Sequence, residues 1–96
     1  MKATDKALVQ RINTRLALTR DRVDEMKSGE DAAAFTLRRE ELYSALSLAK
    51  ASEDLVDPDA FSRELGNIAE AAASLYAQAD SHVRYEALDT FRATKA

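Results

Sequence analysis

The sequence contains few residues that could carry out catalysis. Its only histidine, His82, follows Asp80 and Ser81 directly, and cysteine is absent. A nucleophile–base pair needs a base within hydrogen-bond reach of a hydroxyl, and adjacency in sequence does not place Asp80 or Ser81 for that role. We interpret His82 as an interfacial or capping residue. The sequence predicts no catalytic residues and a protein that is not an enzyme.

Metal and phosphate motifs are also missing from the sequence. It has no His-Glu-x-x-His pair, no Asp-rich calcium loop and no Glu-x-x-His pair. With one histidine, a His-based metal site would need carboxylate partners or a second chain. The two glycines are isolated, so no glycine-rich phosphate loop can form. We therefore expect no metal and no cofactor.

Arginines form the most suggestive polar pattern. Of the four arginines on the first predicted helix, three lie nearest the hairpin end; two more lie in the second turn of the next helix, with a tyrosine one turn further on. An antiparallel hairpin around Gly29 would pair residues whose numbers add up to about 59, bringing these groups together. Guanidinium groups can grip a phosphate or an acidic partner through paired hydrogen bonds. The candidate binding residues are Arg15, Arg20, Arg22, Arg38, Arg39 and Tyr43.

An alternative interpretation of this arginine set is purely structural. Acidic residues are interleaved with the arginines along both predicted helices and can neutralise them locally. They are Asp21, Asp24, Glu25, Glu40 and Glu41. Both interpretations remain open from the sequence.

Composition indicates which elements must position these residues. Of 96 residues, 46% are hydrophobic, yet only two are Gly and one is Pro. Alanine is abundant and β-branched apolar residues are scarce, which favours helices over sheets. The sequence predicts an all-α fold, a three-helix arrangement built on an antiparallel helical hairpin. We expect one domain over residues 1–96, with helices at about 5–27, 32–55 and 58–93.

Two short segments separate the predicted helices. In the first, Gly29 can adopt the left-handed conformation that ends a helix, and Ser28 or Asp31 can cap the next one. In the second, Asp57 is a good N-cap and Pro58 suits the first helical position. Neither a membrane-spanning stretch nor a signal peptide is apparent. We therefore expect no membrane association and a cytoplasmic location.

The first two helices carry different apolar patterns. Spacings of three and four residues give the first a narrow seam: Val9, Ile12, Leu16, Thr19, Val23 and Met26. Thr19 is its polar member, which either fixes the register or hydrogen-bonds back to its own helix. On the second helix, Leu37, Leu48 and Leu55 widen the apolar band to about half the circumference. That width predicts that the second helix touches two neighbours and is the centre of the fold.

The third helix has a regular apolar stripe that later shifts. Its first part contains Phe61, Leu65, Ile68, Ala72, Leu75 and Ala79. After Ala79 the stripe moves by a four-residue step, and Asp80 and Ser81 could each cap a new helix. The segment is therefore either one long helix or two helices hinged near residues 79–82.

Helix lengths predict self-association. The first two helices should be about 35 Å long, whereas residues 58–93 would span about 54 Å if unbroken. About 11 residues would then project beyond the bundle, a liability unless a second subunit covers them. The candidate self-association residues are Val83, Tyr85, Leu88 and Phe91. We expect a homodimer or a higher oligomer.

The net charge of the chain narrows the range of functions that the sequence predicts. A net charge of −3 disfavours bulk binding of nucleic acid. We expect a small non-catalytic helical protein that self-associates and binds a second protein, as an adaptor, accessory factor or inhibitor, including those encoded by phages or plasmids. The alternative is a module that holds a phosphate, a nucleotide or a nucleic-acid backbone with the arginine set.

Overall fold

The computed structural model describes residues 1–95, and this part of the chain is all-α. Three helices follow one another: α1 at Ala3–Asp24, α2 at Gly29–Ala51 and α3 at Pro58–Lys95. A single 3₁₀ turn, Glu53–Leu55, follows α2. The predicted all-α fold with three helices is confirmed. The predicted bounds differ by a few residues, most at the end of α1 and at both ends of α2.

Side-chain caps begin both later helices. The hydroxyl of Ser28 accepts a hydrogen bond from the Asp31 N–H at 3.3 Å. A carboxylate oxygen of Asp57 accepts one from the Ala60 N–H at 3.2 Å, and Pro58 takes the first position of α3. Each cap satisfies one of the free N–H groups that open a helix. Of the two caps considered for α2, the structure uses Ser28.

The predicted left-handed conformation of Gly29 is wrong. No glycine of the described chain has a positive φ, and Gly29 is instead the first residue of α2. The end of α1 is closed by a tightened turn, in which the N–H groups of Glu25 and Met26 donate to the carbonyls of Arg22 and Val23. Bonds to the third preceding residue satisfy the last carbonyls without a left-handed residue.

The centre of the fold is α3, not α2. The whole predicted stripe of α3 is buried, and Ala69 joins it. In contrast, Leu48 and Leu55, which widened the apolar band of the second helix, are 70% and 85% exposed. The stripe of α3 packs against both of the other helices, which places it between them. The buried apolar residues are Ile12, Leu16, Leu42, Leu46, Ala49, Phe61, Leu65, Ile68, Ala69, Ala72, Leu75 and Ala79.

The third helix is continuous across the predicted hinge. It covers 38 residues, which corresponds to about 57 Å of α-helix, and the longest dimension of the molecule is 59 Å. Asp80 does not start a new helix. Its carboxylate instead pairs with Arg84 at 3.0 Å and lies 3.9 Å from Arg22 of α1.

Two polar groups lie inside the bundle. Thr19 is fully buried and donates to the carbonyl of Arg15 at 2.7 Å, so it hydrogen-bonds back to its own helix. Asp5 is 2% exposed, and its carboxyl group accepts a hydrogen bond from the Ser62 hydroxyl at 2.8 Å. This contact links the first turn of α1 to the first turns of α3. A buried polar group needs such a partner to offset the loss of water.

Within residues 1–95, no helix combines the length and hydrophobicity that a membrane span requires.

Candidate functional site

Three apolar side chains are exposed on the C-terminal part of α3. Tyr85, Leu88 and Phe91 are 69%, 41% and 56% exposed, and they follow one another along successive turns. We call these three residues the tail patch. Val83, the fourth predicted self-association residue, is only half-buried and is not part of this exposed group. Large apolar side chains gathered on one surface are typical of an interaction site.

The connection between α1 and α2 packs against α3 beside the tail patch. The Lys27 N–H donates to Oε2 of Glu86 at 2.7 Å, and the Lys27 ammonium group donates to the Thr90 hydroxyl. The hairpin therefore reaches as far along α3 as Thr90. The part of α3 that projects beyond the other two helices is therefore shorter than predicted, although Tyr85, Leu88 and Phe91 remain exposed.

The carboxyl group of Glu86 holds this junction. Its pKa lies below the usual value of 4.5, chiefly because the Lys27 N–H donates to the carboxylate. Desolvation acts in the opposite direction and raises the pKa. The neighbouring His82 side chain and the N–H of Ser28 lower it further. The ionised form is therefore favoured in the folded protein.

This shift predicts a pH-dependent effect of Glu86→Gln. Since the folded pKa is lowered, the ionised carboxylate stabilises the fold above about pH 4.5, and that contribution is lost as the pH falls through the lowered value. We expect the variant to have a lower urea midpoint than the parent at pH 7, with the difference shrinking as the pH falls below about 4.5. Circular dichroism in urea measures both midpoints.

Glu40→Gln is the matched control, because Glu40 is an exposed acid of α2. Its midpoint should follow that of the parent protein throughout the pH range. A deficit of Glu86→Gln that stays as large as at pH 7 down to the lowest pH at which both proteins are folded would contradict the assignment.

The predicted arginine set is divided among separate contacts. Arg15 places its guanidinium 5.4 Å from the ring centre of Tyr76 on α3. Arg22 pairs with Glu25 at 2.9 Å, and Arg38 pairs with Glu41 at 3.0 Å. Among the described residues, Arg20 has no side-chain hydrogen bond or ion pair, and it is exposed.

Arg39 shows how α1 and α2 are aligned. Its Nε donates to the carbonyl of Leu16 at 2.6 Å, so the facing residue numbers add up to 55 rather than about 59. The predicted register, which placed Arg39 level with Arg20, is therefore displaced by about one helical turn. Nη2 of Arg39 donates to the Tyr43 hydroxyl at 3.2 Å, and the Arg39 guanidinium lies 4.8 Å from the centre of the Tyr43 ring. Within the set, this is the one contact that joins two members. Phosphate binding by these residues stays a prediction.

The sequence reasoning missed an apolar groove between α2 and the start of α3. It encloses about 370 Å³, and the exposed side chains of Leu48 and Val56 contribute to its wall. Leucines on the edge of the apolar band of α2 were the available signal, but they were assigned to the core. The lining residues are Ala45, Leu48, Ala49, Ser52, Val56, Ala60, Phe61 and Glu64.

No protein-family model matches the chain, and comparisons with curated proteins and with solved structures find no match. The surface chemistry of the molecule is therefore what indicates its function.

Proposed function

We propose that this protein is a non-catalytic, cytoplasmic interaction protein that self-associates and binds a second protein, as an adaptor, accessory factor or inhibitor. The observation that carries the proposal is the tail patch, in which Tyr85, Leu88 and Phe91 are each more than 40% exposed.

The occupant of the tail patch is a second copy of the chain. A two-fold interface brings the same surface of two subunits together, so three apolar side chains on each would be buried at once. Covering a large apolar side chain is worth about 1.5–3 kcal/mol before the cost of association. Arg84, Asp89 and Arg92 surround the patch with both signs of charge, so that two copies meet without a large excess of one charge.

The groove near Leu48 is the proposed surface for the second protein. It lies beside Phe61, and the tail patch begins 24 residues further along the same helix, a distance of about 36 Å. Two surfaces so far apart can be occupied at the same time. Its exposed apolar wall and enclosed volume suit an apolar side chain or a short helix of a partner.

Self-association is tested by replacing tail residues with lysine. We expect the parent chain to have a dimer mass at micromolar concentration in sedimentation equilibrium. Leu88→Lys combined with Phe91→Lys should raise the dissociation constant at least about 100-fold, because burying two ammonium groups opposes the interface. Circular dichroism should show that the variant is still helical.

The control carries the same change of chemistry at the other end of the molecule. Leu48→Lys with Leu55→Lys also replaces two exposed apolar side chains with lysine and so adds two positive charges. This variant should keep the parent's dimer mass. A monomeric parent protein up to about 1 mM, or a tail variant that still dimerises like the parent, would refute the proposal.

A further inference from the structure

Three potential metal ligands from two helices converge beside the α1–α2 connection. Nε2 of His82 lies 2.7 Å from Oε1 of Glu86, one turn further along α3, and 3.1 Å from Oδ2 of Asp31 in the first turn of α2. One ligand atom from each of the three residues lies within 4.8 Å of the other two. We call Asp31, His82 and Glu86 the triad.

The ring nitrogen of His82 is enclosed but lacks a hydrogen bond. Nε2 has almost no accessible surface, and neither nearby carboxylate oxygen meets the geometry of a hydrogen bond to it. Since both oxygens are close enough, they must lie beside the axis of the ring N–H rather than along it. An ion on the axis of the nitrogen lone pair would have its other ligands to the side of that axis, which is the side on which these oxygens lie.

Charge and support around the triad also suit a divalent cation. Two carboxylates and a neutral imidazole carry two negative charges, which one such ion balances. Oε2 of Glu86, the oxygen not directed at His82, is held by the Lys27 N–H at 2.7 Å. The imidazole ring lies 6.0 Å from the ring centre of Phe35. Hydrogen bonds and packing of this kind orient the ligands of metal sites.

We propose that Asp31, His82 and Glu86 bind one Zn²⁺ per chain. An imidazole nitrogen together with two carboxylate oxygens suits zinc, whereas Mg²⁺ and Ca²⁺ prefer oxygen ligands alone. At zinc–ligand distances of about 2.0–2.1 Å, tetrahedral ligands lie about 3.3 Å apart. The 3.1 Å between Nε2 of His82 and Oδ2 of Asp31 is near this value, and the 2.7 Å between Nε2 and Oε1 of Glu86 would lengthen on binding. The fourth position is left for water. The bound ion joins the first turn of α2 to α3 next to the tail patch.

Zinc binding is measured by isothermal titration calorimetry on the full chain, with equilibrium dialysis to count the ions. We expect one Zn²⁺ per chain, and no displacement by a large excess of Mg²⁺. His82→Gln and Asp31→Asn, each removing one ligand, should weaken binding at least about tenfold. Glu40→Gln is the matched control, since it removes the same charge as Asp31→Asn from an exposed position of α2, and it should bind like the parent protein.

Several outcomes would overturn the proposal. One is a parent chain that binds no zinc up to about 1 mM, which would leave the triad as an ion-pair network only. A second is unchanged affinity in both ligand variants, which would indicate adventitious binding elsewhere. A third is half an ion per chain, which would place the site between copies.

Two ligand variants are used so that one is informative if the other loses its helical circular dichroism. The monomeric tail variant, Leu88→Lys with Phe91→Lys, should bind zinc normally, which separates this proposal from self-association.

Discussion

Leu65→Ala is expected to lower the free energy of unfolding by about 2–5 kcal/mol, because it removes a fully buried side chain and leaves a cavity. Leu65 lies on α3 within the core shared with the other two helices. Nearby Ala69 and Ala72 are too small to fill the space. Urea denaturation followed by circular dichroism measures the loss, which is a large share of the stability of a small domain.

Leu48→Ala is the matched control for this prediction, since it makes the same change at a side chain that is 70% exposed. It should cost less than about 0.5 kcal/mol. If both variants lost the same stability, α3 would not be the centre of the core.

Ser62→Ala is expected to lower the free energy of unfolding by about 1–3 kcal/mol, because it leaves the buried carboxyl group of Asp5 without the hydroxyl that donates to it. Removing both partners should cost less than the two single changes added together, since no orphaned group then remains. A double-mutant cycle of Ser62→Ala and Asp5→Ala, measured in urea, gives this coupling. Strictly additive losses would mean that the contact contributes nothing to stability.

Local sequence patterns were sufficient to predict the fold class and the buried stripe of α3. Its stripe from Phe61 to Ala79 follows helical spacing for five turns, and Asp57 and Pro58 mark its start by the chemistry of capping. Both signals act within one segment, so they can be recognised without knowledge of the neighbours. The narrow seam of α1 was predicted in part: Ile12, Leu16 and Thr19 are buried. The other three members, Val9, Val23 and Met26, are only half-buried, and Met26 lies beyond the end of α1.

The prediction that α2 contacts two neighbours is confirmed, whereas its predicted central place is wrong because apolar width was equated with burial. Leucines extend its band, but the longer α3 packs against both other helices and takes the central place. Leu48 and Leu55 are therefore left at the surface. Which helix lies at the centre of the bundle depends on how all three helices pack, and the sequence of one helix does not contain that information.

The polar sites depended on alignments between helices. The register of α1 against α2 is displaced by about a turn, so Arg39 reaches the carbonyl of Leu16 instead of lying beside Arg20. For the triad, the four-residue spacing of His82 and Glu86 was visible in the sequence as a shared helical face. Asp31 was not, because it comes from another helix, 51 residues earlier in the chain.

The central position of α3 has a consequence for synthesis in the cell. Ribosomes add about 5–20 residues per second from the N-terminus, so α1 and α2 are made before their principal packing partner exists. Ile12, Leu16, Leu42 and Leu46 must wait several seconds for the stripe of α3 to cover them. Folding is therefore completed late, and a nascent chain stalled before Leu75 would offer its apolar helices to chaperones and proteases.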